Sequence, residues 1–229
     1  MSDSEFSDKK ILHSWRKNAA PWIRAIDGTT IASRKLVTDA AIVAAVTALK
    51  PASVLDIGCG EGWLARKLTS HEIDVCGIDA VAELVAAARR QSGPREIYRQ
   101  LSYAELSGGA LPLRFDVLVC NFSLLGRESV NALFAATRGL LNPGGHLVVQ
   151  TLHPLETCGE ATYRDGWRAG SWAGFSEDFS DPAPWYFRTV GSWVTLLTEN
   201  GMQLAALREP LHPETGRPAS LILSGTVGG

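Results

Sequence analysis

The 229-residue sequence contains few cysteines, little excess charge and no long apolar run, and each shortage excludes a class of protein. The four cysteines are scattered and form no CxxC pair, which argues against structural zinc and disulfides and favours a reduced, cytoplasmic setting. The net charge of −2 and the isoelectric point near 6.2 predict no nucleic-acid partner and no attraction to an anionic membrane. No stretch approaches the ~20 apolar residues that a membrane span needs.

Signals for targeting and for metal binding are missing from the sequence as well. The polar start of the chain, MSDSEFSDKK, is expected to be disordered and to be neither a secretory signal nor a transit peptide. We predict no metal site, because no metal-ligand spacing relates His13, His71, His146 and His212. A composition of 45% hydrophobic and 20% charged residues predicts one domain, and it does not distinguish a monomer from a homodimer.

From about residue 36 the sequence alternates helical and strand-like segments. Short apolar runs that end in polar or glycine residues predict strands at 53–57, 74–78, 95–101, 116–120 and 146–151. Apolar residues at spacings of three and four predict helices between these runs. Such alternation predicts right-handed crossovers and a parallel sheet with helices on both faces.

The alternation stops after residue 151. Residues 152–188 contain eight aromatic side chains among glycines and prolines, with little periodicity. A helix around Trp193 and Leu197 follows, and two strands at about 202–208 and 219–225 form a closing pair that is readily antiparallel.

A glycine-rich loop lies in the segment VLDIGCGEGWLARKL, residues 54–68. Gly58, Gly60 and Gly62 follow a buried strand and open a helix, where glycine permits a tight turn and lets a ligand lie against the backbone. Asp79 ends the next strand about 20 residues later, which is the position of a ribose-hydroxyl acceptor in nucleotide-binding βαβ units. The alternative interpretation is a tight strand–helix turn with a solvated Asp79.

The spacing of the glycines separates two classes of ligand. Dinucleotide-binding loops have the pattern GxGxxG and hold a pyrophosphate at a helix N-terminus. This loop has the pattern GxGxG and is preceded by Asp56, which would repel a pyrophosphate but suits a ligand carrying an ammonium and a sulfonium group.

Four segments in order resemble the class I S-adenosylmethionine-dependent methyltransferases that act on small molecules. These segments are VLDIGCGEG, VCGIDA, FDVLVCNFSLL and LNPGGHLVVQT, and they lie between about residues 50 and 151. The resemblance implies an α/β fold with a doubly wound, seven-stranded, mostly parallel sheet of the Rossmann-like methyltransferase type. It also implies an antiparallel last strand, an N-terminal helical lid and an aromatic-rich insertion after the fifth strand.

The same resemblance implies a site for S-adenosyl-L-methionine. Gly58, Cys59 and Gly60 would line the methionine moiety, and Asp56 would meet its ammonium group directly or through water. Asp79 would accept hydrogen bonds from both ribose hydroxyls.

The remaining cofactor positions follow the second, third and fourth strands. Ala80 would pack beside the adenine, and Asn121 and Phe122 would offer backbone groups to the methionine amino group and approach the sulfonium. Many relatives place an aspartate after the third strand, but here Ser102 or Tyr103 would have to supply the adenine contact.

Residues ahead of the core add two further candidates. Trp15, Ala19, Trp22 and Ile26 have helical spacing, which predicts either a helix that simply covers the sheet or a lid whose Trp22 packs over the cofactor. Arg34 is either a surface residue or the partner of the methionine carboxylate in a bidentate pair.

His153 is the candidate general base for a methyl acceptor. It directly follows the fifth strand, at the carboxyl edge where open α/β sheets bind ligands. A histidine suits proton removal near neutral pH. The alternative is that its side chain only bonds backbone at the end of the strand.

The insertion at 152–188 is the candidate acceptor pocket, because aromatic walls fit a planar or apolar small molecule. It would otherwise be a satellite core under a long loop, and both descriptions can hold together. Arg168 and Arg188 would either bind an acidic substrate group or pair with neighbouring carboxylates, which are Asp165, Glu177 and Asp178.

We therefore predict one methyltransferase domain over residues 1–229, acting on an oxygen, nitrogen or carbon of a specialised metabolite or quinone-like compound. It divides into an N-terminal cap (1–35), a cofactor-binding core (36–151), a substrate-pocket insertion (152–188) and a C-terminal helix and strand pair (189–229). The alternatives are an NAD-dependent oxidoreductase and a non-catalytic S-adenosylmethionine-binding regulatory protein.

Overall fold

The computed structural model describes residues 5–28, 31 and 33–228, and its centre is a seven-stranded sheet. The strands of that sheet are β1 (Ser53–Ile57), β2 (Asp74–Asp79), β3 (Glu96–Gln100), β4 (Phe115–Asn121), β5 (Leu141–Thr151), β8 (Met202–Arg208) and β9 (Leu221–Val227), while β6 (Gly166–Arg168) and β7 (Trp185–Phe187) form a separate antiparallel pair. The order across the sheet is β3-β2-β1-β4-β5-β9-β8. β9 runs opposite to the other six strands of this sheet, so it pairs antiparallel with both β5 and β8. The predicted sheet and its antiparallel last strand are confirmed.

Helices cover both faces of the sheet. They are α1 (Asp8–Lys17), α2 (Ala19–Asp27), α3 (Asp39–Thr47), α4 (Trp63–Thr69), α5 (Ala82–Arg90), α6 (Tyr103–Ser107), α7 (Glu128–Leu140), α8 (Pro154–Cys158) and α9 (Val190–Glu199). A π-helical turn, Arg34–Thr38, runs directly into α3. None of the helices in the described ranges is long and apolar enough to span a membrane.

The alternation of side chains along the central strands produces two cores, one on each face of the sheet. In β4, Leu118 packs on the face that α7 and α9 cover, whereas its neighbour Val119 packs on the face that α3 and α4 cover. Both side chains are fully buried. Strands that are buried on both faces must be apolar throughout, which is why these strands read as continuous apolar runs in the sequence.

The carboxyl ends of the parallel strands meet along one edge of the sheet. Asp79, Asn121 and Thr151 are the last residues of β2, β4 and β5, and the glycine loop follows β1. The strand order reverses between β1 and β4, so a crevice opens at that point of the edge. This crevice is the expected place for a ligand.

The N-terminal region differs from the prediction. Helix α1 already begins at Asp8, capped by the Ser7 side chain, so the prediction of disorder over the first ten residues is wrong for this stretch; residues 1–4 lie outside the described part. The single predicted helix is also two helices, which meet at Asn18. Pro21 explains the break, because a proline has no N–H to donate and its ring would clash with the carbonyl four residues earlier.

Three further elements differ from the predicted ones. The insertion contains α8 and the β6–β7 pair, which its irregular sequence did not indicate. Strand β5 begins at Leu141 rather than residue 146, because Pro143, Gly144 and Gly145 shift the register without ending the pairing with β4. Strand β9 begins at Leu221, two residues later than predicted.

Candidate active site

The glycine loop turns tightly against the end of β2. The N–H groups of Gly58 and Cys59 both donate to the carbonyl oxygen of Ile78, at 2.8 and 2.9 Å. Gly58 has φ +76°, and a Cβ there would lie 2.4 Å from the Cβ of Ser123. Both the backbone angle and the close approach of the β4 end therefore require glycine at position 58.

Asp79 is anchored to this loop by its carboxylate. Oδ2 accepts the Gly60 N–H at 3.0 Å, and Oδ1 accepts the Val81 N–H at 2.8 Å. Burial raises the pKa of Asp79, and these backbone N–H groups oppose that rise. The carboxylate is therefore not the solvated group of the alternative interpretation, and each oxygen keeps a second lone pair for a ligand hydroxyl.

The space above Gly60 is open and is bounded by Trp22. The nearest atom to a Cβ built on Gly60 is Nε1 of Trp22, at 3.7 Å, and it is the one atom found within 4 Å among the described residues. Gly60 has φ +58°, so it presents bare backbone toward this space. Trp22 thus lies where a lid over the loop would lie.

Two acids under the loop are buried with an unpartnered oxygen each. Burial raises the pKa of Asp56 to about 8, and the charges of Glu61 and Asp79 add to the rise. Within the described residues, Oδ2 of Asp56 and Oε2 of Glu61 have no hydrogen-bond partner. Burial also raises the pKa of Glu61, opposed by a bond from its own backbone and by Arg34 and Arg66. Burial therefore favours the neutral form of both acids, and a cation bound beside them would favour their ionised forms.

Arg34 lies on the π-helical turn, where its charge acts on the buried Glu61. Its Nε donates to Asp39 Oδ1 at 3.0 Å, and its guanidinium stacks on Trp63 at 4.4 Å from the ring centroid. Its side chain is only 13% exposed, so it is not the surface residue of the alternative interpretation. A ligand carboxylate would have to share this guanidinium with Asp39.

The end of β4 supplies the opposite wall of the crevice. Asn121 Oδ1 is buried and unpartnered within the described residues. Phe122 has φ +52° and donates its N–H to the carbonyl oxygen of Gln150 at 2.8 Å. Ser123 donates from Oγ to the carbonyl oxygen of Ile57 at 2.7 Å, which ties the ends of β4 and β1 together.

The residues predicted to contact the adenine follow β2 and β3, and each makes different contacts. Ser102 caps α6, because its Oγ accepts the Glu105 N–H at 3.3 Å, and its own N–H donates to the Glu105 carboxylate at 2.8 Å. The Tyr103 hydroxyl donates to the Ser123 carbonyl oxygen at 3.0 Å, and burial raises the Tyr103 pKa. Ala80 is partly exposed, next to the anchored Asp79. Of the two adenine candidates, Tyr103 lies closer to the loop.

His153 is buried at the end of β5, with 1% of its surface exposed. Its Nε2 lies 2.7 Å from Oε1 of Glu209, and its Nδ1 has no partner among the described residues. The ring therefore pairs with a carboxylate and not with strand-end backbone, contrary to the alternative interpretation.

The N-terminal helices and the insertion form one lid, which we define as α1, α2 and residues 172–181. Asn18 donates to the Ser180 carbonyl oxygen at 2.7 Å and accepts the Ser180 N–H at 2.9 Å. Trp172 packs edge-on against Trp15, with ring centroids 5.8 Å apart. The other ring contacts of the lid involve Trp22, Phe175 and Phe179. The insertion thus has its own core and also reaches the loop through Trp22.

The two arginines of the insertion bond mainly to carbonyl groups. Arg188 is buried and donates to the Gly126 carbonyl oxygen at 2.9 Å and to Asn131 Oδ1 at 3.1 Å, and burial lowers its pKa to about 10. Arg168 donates to the carbonyl oxygen of Thr162 at 3.2 Å. Of the carboxylates suggested as partners, Asp178 pairs with Arg24 instead, at 3.0 Å.

Three residues of this region were missed by the sequence prediction. Glu61 occupies an unspecified position of the GxGxG pattern, and its acidic side chain was the one feature of the sequence that could have indicated a role. Ser123 and Glu209 had no signal, because their roles depend on contacts across 66 and 56 residues of sequence.

No cluster of three histidine, cysteine, aspartate or glutamate side chains suited to a metal occurs in the described ranges. The four cysteines are free; Cys59 is among the three that are buried. Burial raises the Cys59 pKa, so this thiol is held in its neutral form beside the loop.

The sheet order, the loop and the acid after β2 define a Rossmann-like methyltransferase fold. Residues 33–207 match the family described as methyltransferase domain, and the chain belongs to that family. The predicted resemblance is therefore confirmed. An NAD-dependent oxidoreductase, one alternative from the sequence, has no support from this match.

Curated relatives match the chain over about half its length. The ubiquinone biosynthesis O-methyltransferase of Methylococcus capsulatus is 34% identical over 114 residues, which are 48% of this chain and 48% of that protein. The chain thus spans about half the length of the curated relatives it matches.

Solved structures share the fold over nearly the whole chain. The DhpI–SAH complex has a TM-score of 0.65 at 18% identity and covers 96% of each chain. The 1,6-didemethyltoxoflavin-N1-methyltransferase of Burkholderia thailandensis has a TM-score of 0.64 at 17% identity, covering 96% of this chain and 91% of that one.

Proposed function

We propose that the chain transfers a methyl group from S-adenosyl-L-methionine to a small-molecule acceptor, with an oxygen atom as the favoured target. The observation that carries this proposal is the pair of buried acids at the glycine loop. Asp56 and Glu61 each have one oxygen without a partner among the described residues, and both lie near the anchored Asp79. A cationic ligand would be stabilised as these carboxyl groups ionise beside it, whereas an anionic pyrophosphate would gain nothing from them.

The described residues fit the cofactor on three counts. The orphaned oxygens of Asp56 and Asn121 are acceptors for an ammonium group. The open space above Gly60 allows a ligand to lie against the loop that contains Gly58 and Cys59. The carboxylate of Asp79 keeps lone pairs for ribose hydroxyls, and it is held in place by two backbone N–H groups.

Further residues would complete the cofactor site. Ala80, Ser102 and Tyr103 would adjoin the adenine. The hydroxyl and the N–H of Ser102 are both used in the α6 cap, which leaves the second lone pair of its carbonyl oxygen for a ligand. Phe122 would approach the sulfonium, and Arg34 would share its guanidinium between Asp39 and the methionine carboxylate.

The cofactor, when bound, supplies an activated methyl group that needs only an aligned acceptor. The chain's own contribution is alignment and the exclusion of water, for which the lid and Trp22 are placed above the loop. His153 would take the proton of a hydroxyl acceptor, at the edge of the same crevice.

The acceptor is proposed to be a quinone-like or other aromatic compound. Curated relatives with 34–37% identity are named ubiquinone biosynthesis O-methyltransferases, and the aromatic side chains of the insertion suit a planar molecule. The near-neutral charge supports a small molecule rather than a nucleic acid. We further propose that residues 1–229 act as one domain in the cytoplasm, where free thiols persist.

Isothermal titration with S-adenosylhomocysteine tests the cofactor site. We expect binding well below millimolar, and Asp79→Ala should weaken it by about 1–3 kcal/mol because a charged hydrogen-bond acceptor is lost. Asp74→Ala, which removes an exposed carboxylate at the opposite end of β2, is the matched control and should bind normally. An unchanged dissociation constant for Asp79→Ala would remove this residue from the site.

The reaction itself is tested with a metabolite extract and cofactor carrying a labelled methyl group. Mass spectrometry should detect one labelled methyl on an aromatic hydroxyl compound. If the chain binds S-adenosylhomocysteine but methylates nothing, it is the non-catalytic binding protein of the alternative interpretation. Binding of a nicotinamide cofactor in a fluorescence titration would instead support the oxidoreductase.

A further inference from the structure

His153 and Glu209 form a pair that the cofactor site does not use. Nε2 of His153 lies 2.7 Å from Oε1 of Glu209, and the imidazole is fully buried while the carboxylate is about half exposed. The other ring nitrogen, Nδ1, is buried and has no partner among the described residues. A buried polar atom without a partner is costly, so its presence calls for a functional explanation.

We propose that Glu209 is the positioning residue for His153, which rests on the methyl transfer proposed above. A carboxylate has no proton to donate near neutral pH, so it accepts the hydrogen from Nε2 and leaves the lone pair on Nδ1. Glu209 thereby sets both the tautomer and the orientation of the ring. The nitrogen left free is the one that accepts the acceptor's proton.

The sheet brings this pair together at the ligand edge. His153 follows the end of β5, and Glu209 directly follows the end of β8; β9 lies between these two parallel strands. A second contact holds the same two segments, because Arg217 pairs with Glu156 of α8 at 2.9 Å. The connection between β8 and β9 is therefore fixed against α8 at two points.

The charged groups on these two segments are few. Besides Glu209 they are Glu156 and Arg217, which neutralise each other, the half-buried His212 and the exposed Glu214. The Glu214 N–H donates to His212 Nδ1, so that histidine is occupied within its own turn. Among the described residues, Glu209 is therefore the carboxylate that contacts the His153 ring.

In the step that follows, His153 Nδ1 takes the proton from the acceptor's hydroxyl as that oxygen forms its bond to the methyl carbon. S-adenosyl-L-methionine, when bound, would supply the methyl group, and the electron pair of the broken carbon–sulfur bond would stay on its sulfur as a neutral thioether. His153 becomes an imidazolium, and Glu209 stabilises its positive charge through the Nε2–H bond. Solvent then removes the proton from the ring.

The first test is the tautomer, which needs no turnover. Long-range ¹H–¹⁵N NMR of histidine-labelled protein should find the Nε2–H form of His153 in the unaltered chain and in Glu209→Gln, whose amide oxygen still accepts that hydrogen. Glu209→Ala should lose this preference. Glu214→Gln, a carboxylate on the same connection, is the matched control and should leave the His153 signals unchanged.

The second test is kinetics with catechol as the acceptor probe. Glu209→Ala should lower kcat by roughly 10- to 100-fold, a part of the contribution of a general base, with KM and S-adenosylhomocysteine affinity unchanged within about twofold. In Glu209→Gln the acidic limb of the pH–kcat profile should move to lower pH, because a neutral amide no longer favours the imidazolium.

Two results overturn the proposal. One is a Glu209→Ala protein in which the His153 tautomer is unchanged. The other is a Glu209→Ala protein whose fall in kcat is accompanied by losses of thermal stability and of S-adenosylhomocysteine affinity, which indicates a structural role only. If the unaltered chain binds no S-adenosylhomocysteine, the proposed function fails, and the NMR comparison still decides whether Glu209 sets the tautomer.

Discussion

At the scale of single residues, Asp56 is a carboxylic acid that is almost fully buried near the end of β1. Burial raises its pKa from 3.8 to about 8, with further contributions from the charges of Glu61 and Asp79. Between those two values the folded chain holds a proton that the unfolded chain has released. The free energy of unfolding therefore falls as the pH rises from about 4 to about 8.

We predict that Asp56→Asn removes this part of the pH dependence, because an amide imitates the protonated acid at every pH. Urea unfolding at pH 5 and pH 8 measures the effect. The unaltered chain should lose more stability between the two pH values than Asp56→Asn does.

Asp116 supplies the control for that experiment. Hydrogen bonds from Asn142, Ser53 and Ala52 lower its pKa, so it is ionised in both the folded and the unfolded chain above pH 5. Asp116→Asn should therefore keep the slope of the unaltered chain. Equal slopes for Asp56→Asn and the unaltered chain would contradict a buried, protonated Asp56.

At the scale of elements, the lid depends on the junction between α1 and α2. The chain breaks at Asn18 because of Pro21, and the freed Asn18 side chain holds the Ser180 backbone with two hydrogen bonds. The same break turns Trp22 toward the glycine loop, where its Nε1 approaches the open side of Gly60. The break between α1 and α2 thus links the insertion, through Asn18, to the helix whose Trp22 faces the ligand crevice.

We predict that Asn18→Ala lowers stability by about 1–3 kcal/mol, because it leaves buried polar groups of the junction unpaired. It should also weaken S-adenosylhomocysteine binding several-fold, since the lid that holds Trp22 loosens. Thermal unfolding and isothermal titration measure the two effects.

Asn200→Ala is the matched control, because Asn200 bonds the Leu196 carbonyl oxygen at the end of α9. It should lower stability and leave binding unchanged. A lid that plays no part in binding would instead give both variants the same affinity as the unaltered chain.

At the scale of the whole molecule, the crevice is built from the ends of strands that also carry both cores. Leu118 and Val119 pack on opposite faces of β4, and the same strand ends at Asn121, at the edge where we propose that the cofactor binds. Ligand binding is therefore coupled to global unfolding, since the site exists only in the folded sheet.

We predict that S-adenosylhomocysteine at one hundred times its dissociation constant stabilises the chain by about 2.7 kcal/mol. Tryptophan fluorescence and far-UV circular dichroism should report the same shifted urea midpoint, because lid and sheet unfold together. Asp79→Ala at the same ligand concentration should show a smaller shift. Separate transitions for the two signals would indicate a lid that unfolds independently.

Much of the core could be predicted because its signals are local. Strand β1 was predicted with its observed bounds, since Ser53–Ile57 is a short apolar run that ends in glycine. Of the two closing strands, β8 was predicted with its observed bounds and β9 was predicted two residues too early. The β6–β7 pair escaped prediction because three-residue strands contain too little pattern to detect.

Site residues divide in the same way. Asp79 could be predicted, because the distance from the glycine loop is set by the length of one βαβ unit. The partners of His153 and Arg34 could not be predicted. Glu209 is 56 residues from His153 in the sequence, and the bond from Arg34 to Asp39 depends on the conformation of the π-helical turn.

The sequence by itself determined the class of fold, the glycine loop and the acid after β2, because each depends on spacing within one strand–helix–strand unit. Only the tertiary structure decided that Asp56 and Glu61 lie buried with one oxygen each that has no partner among the described residues. It also decided that Trp22 approaches Gly60 and that Glu209 pairs with His153. These features arise where the ends of distant strands converge, and burial and pairing there depend on packing, which no local pattern of residues encodes.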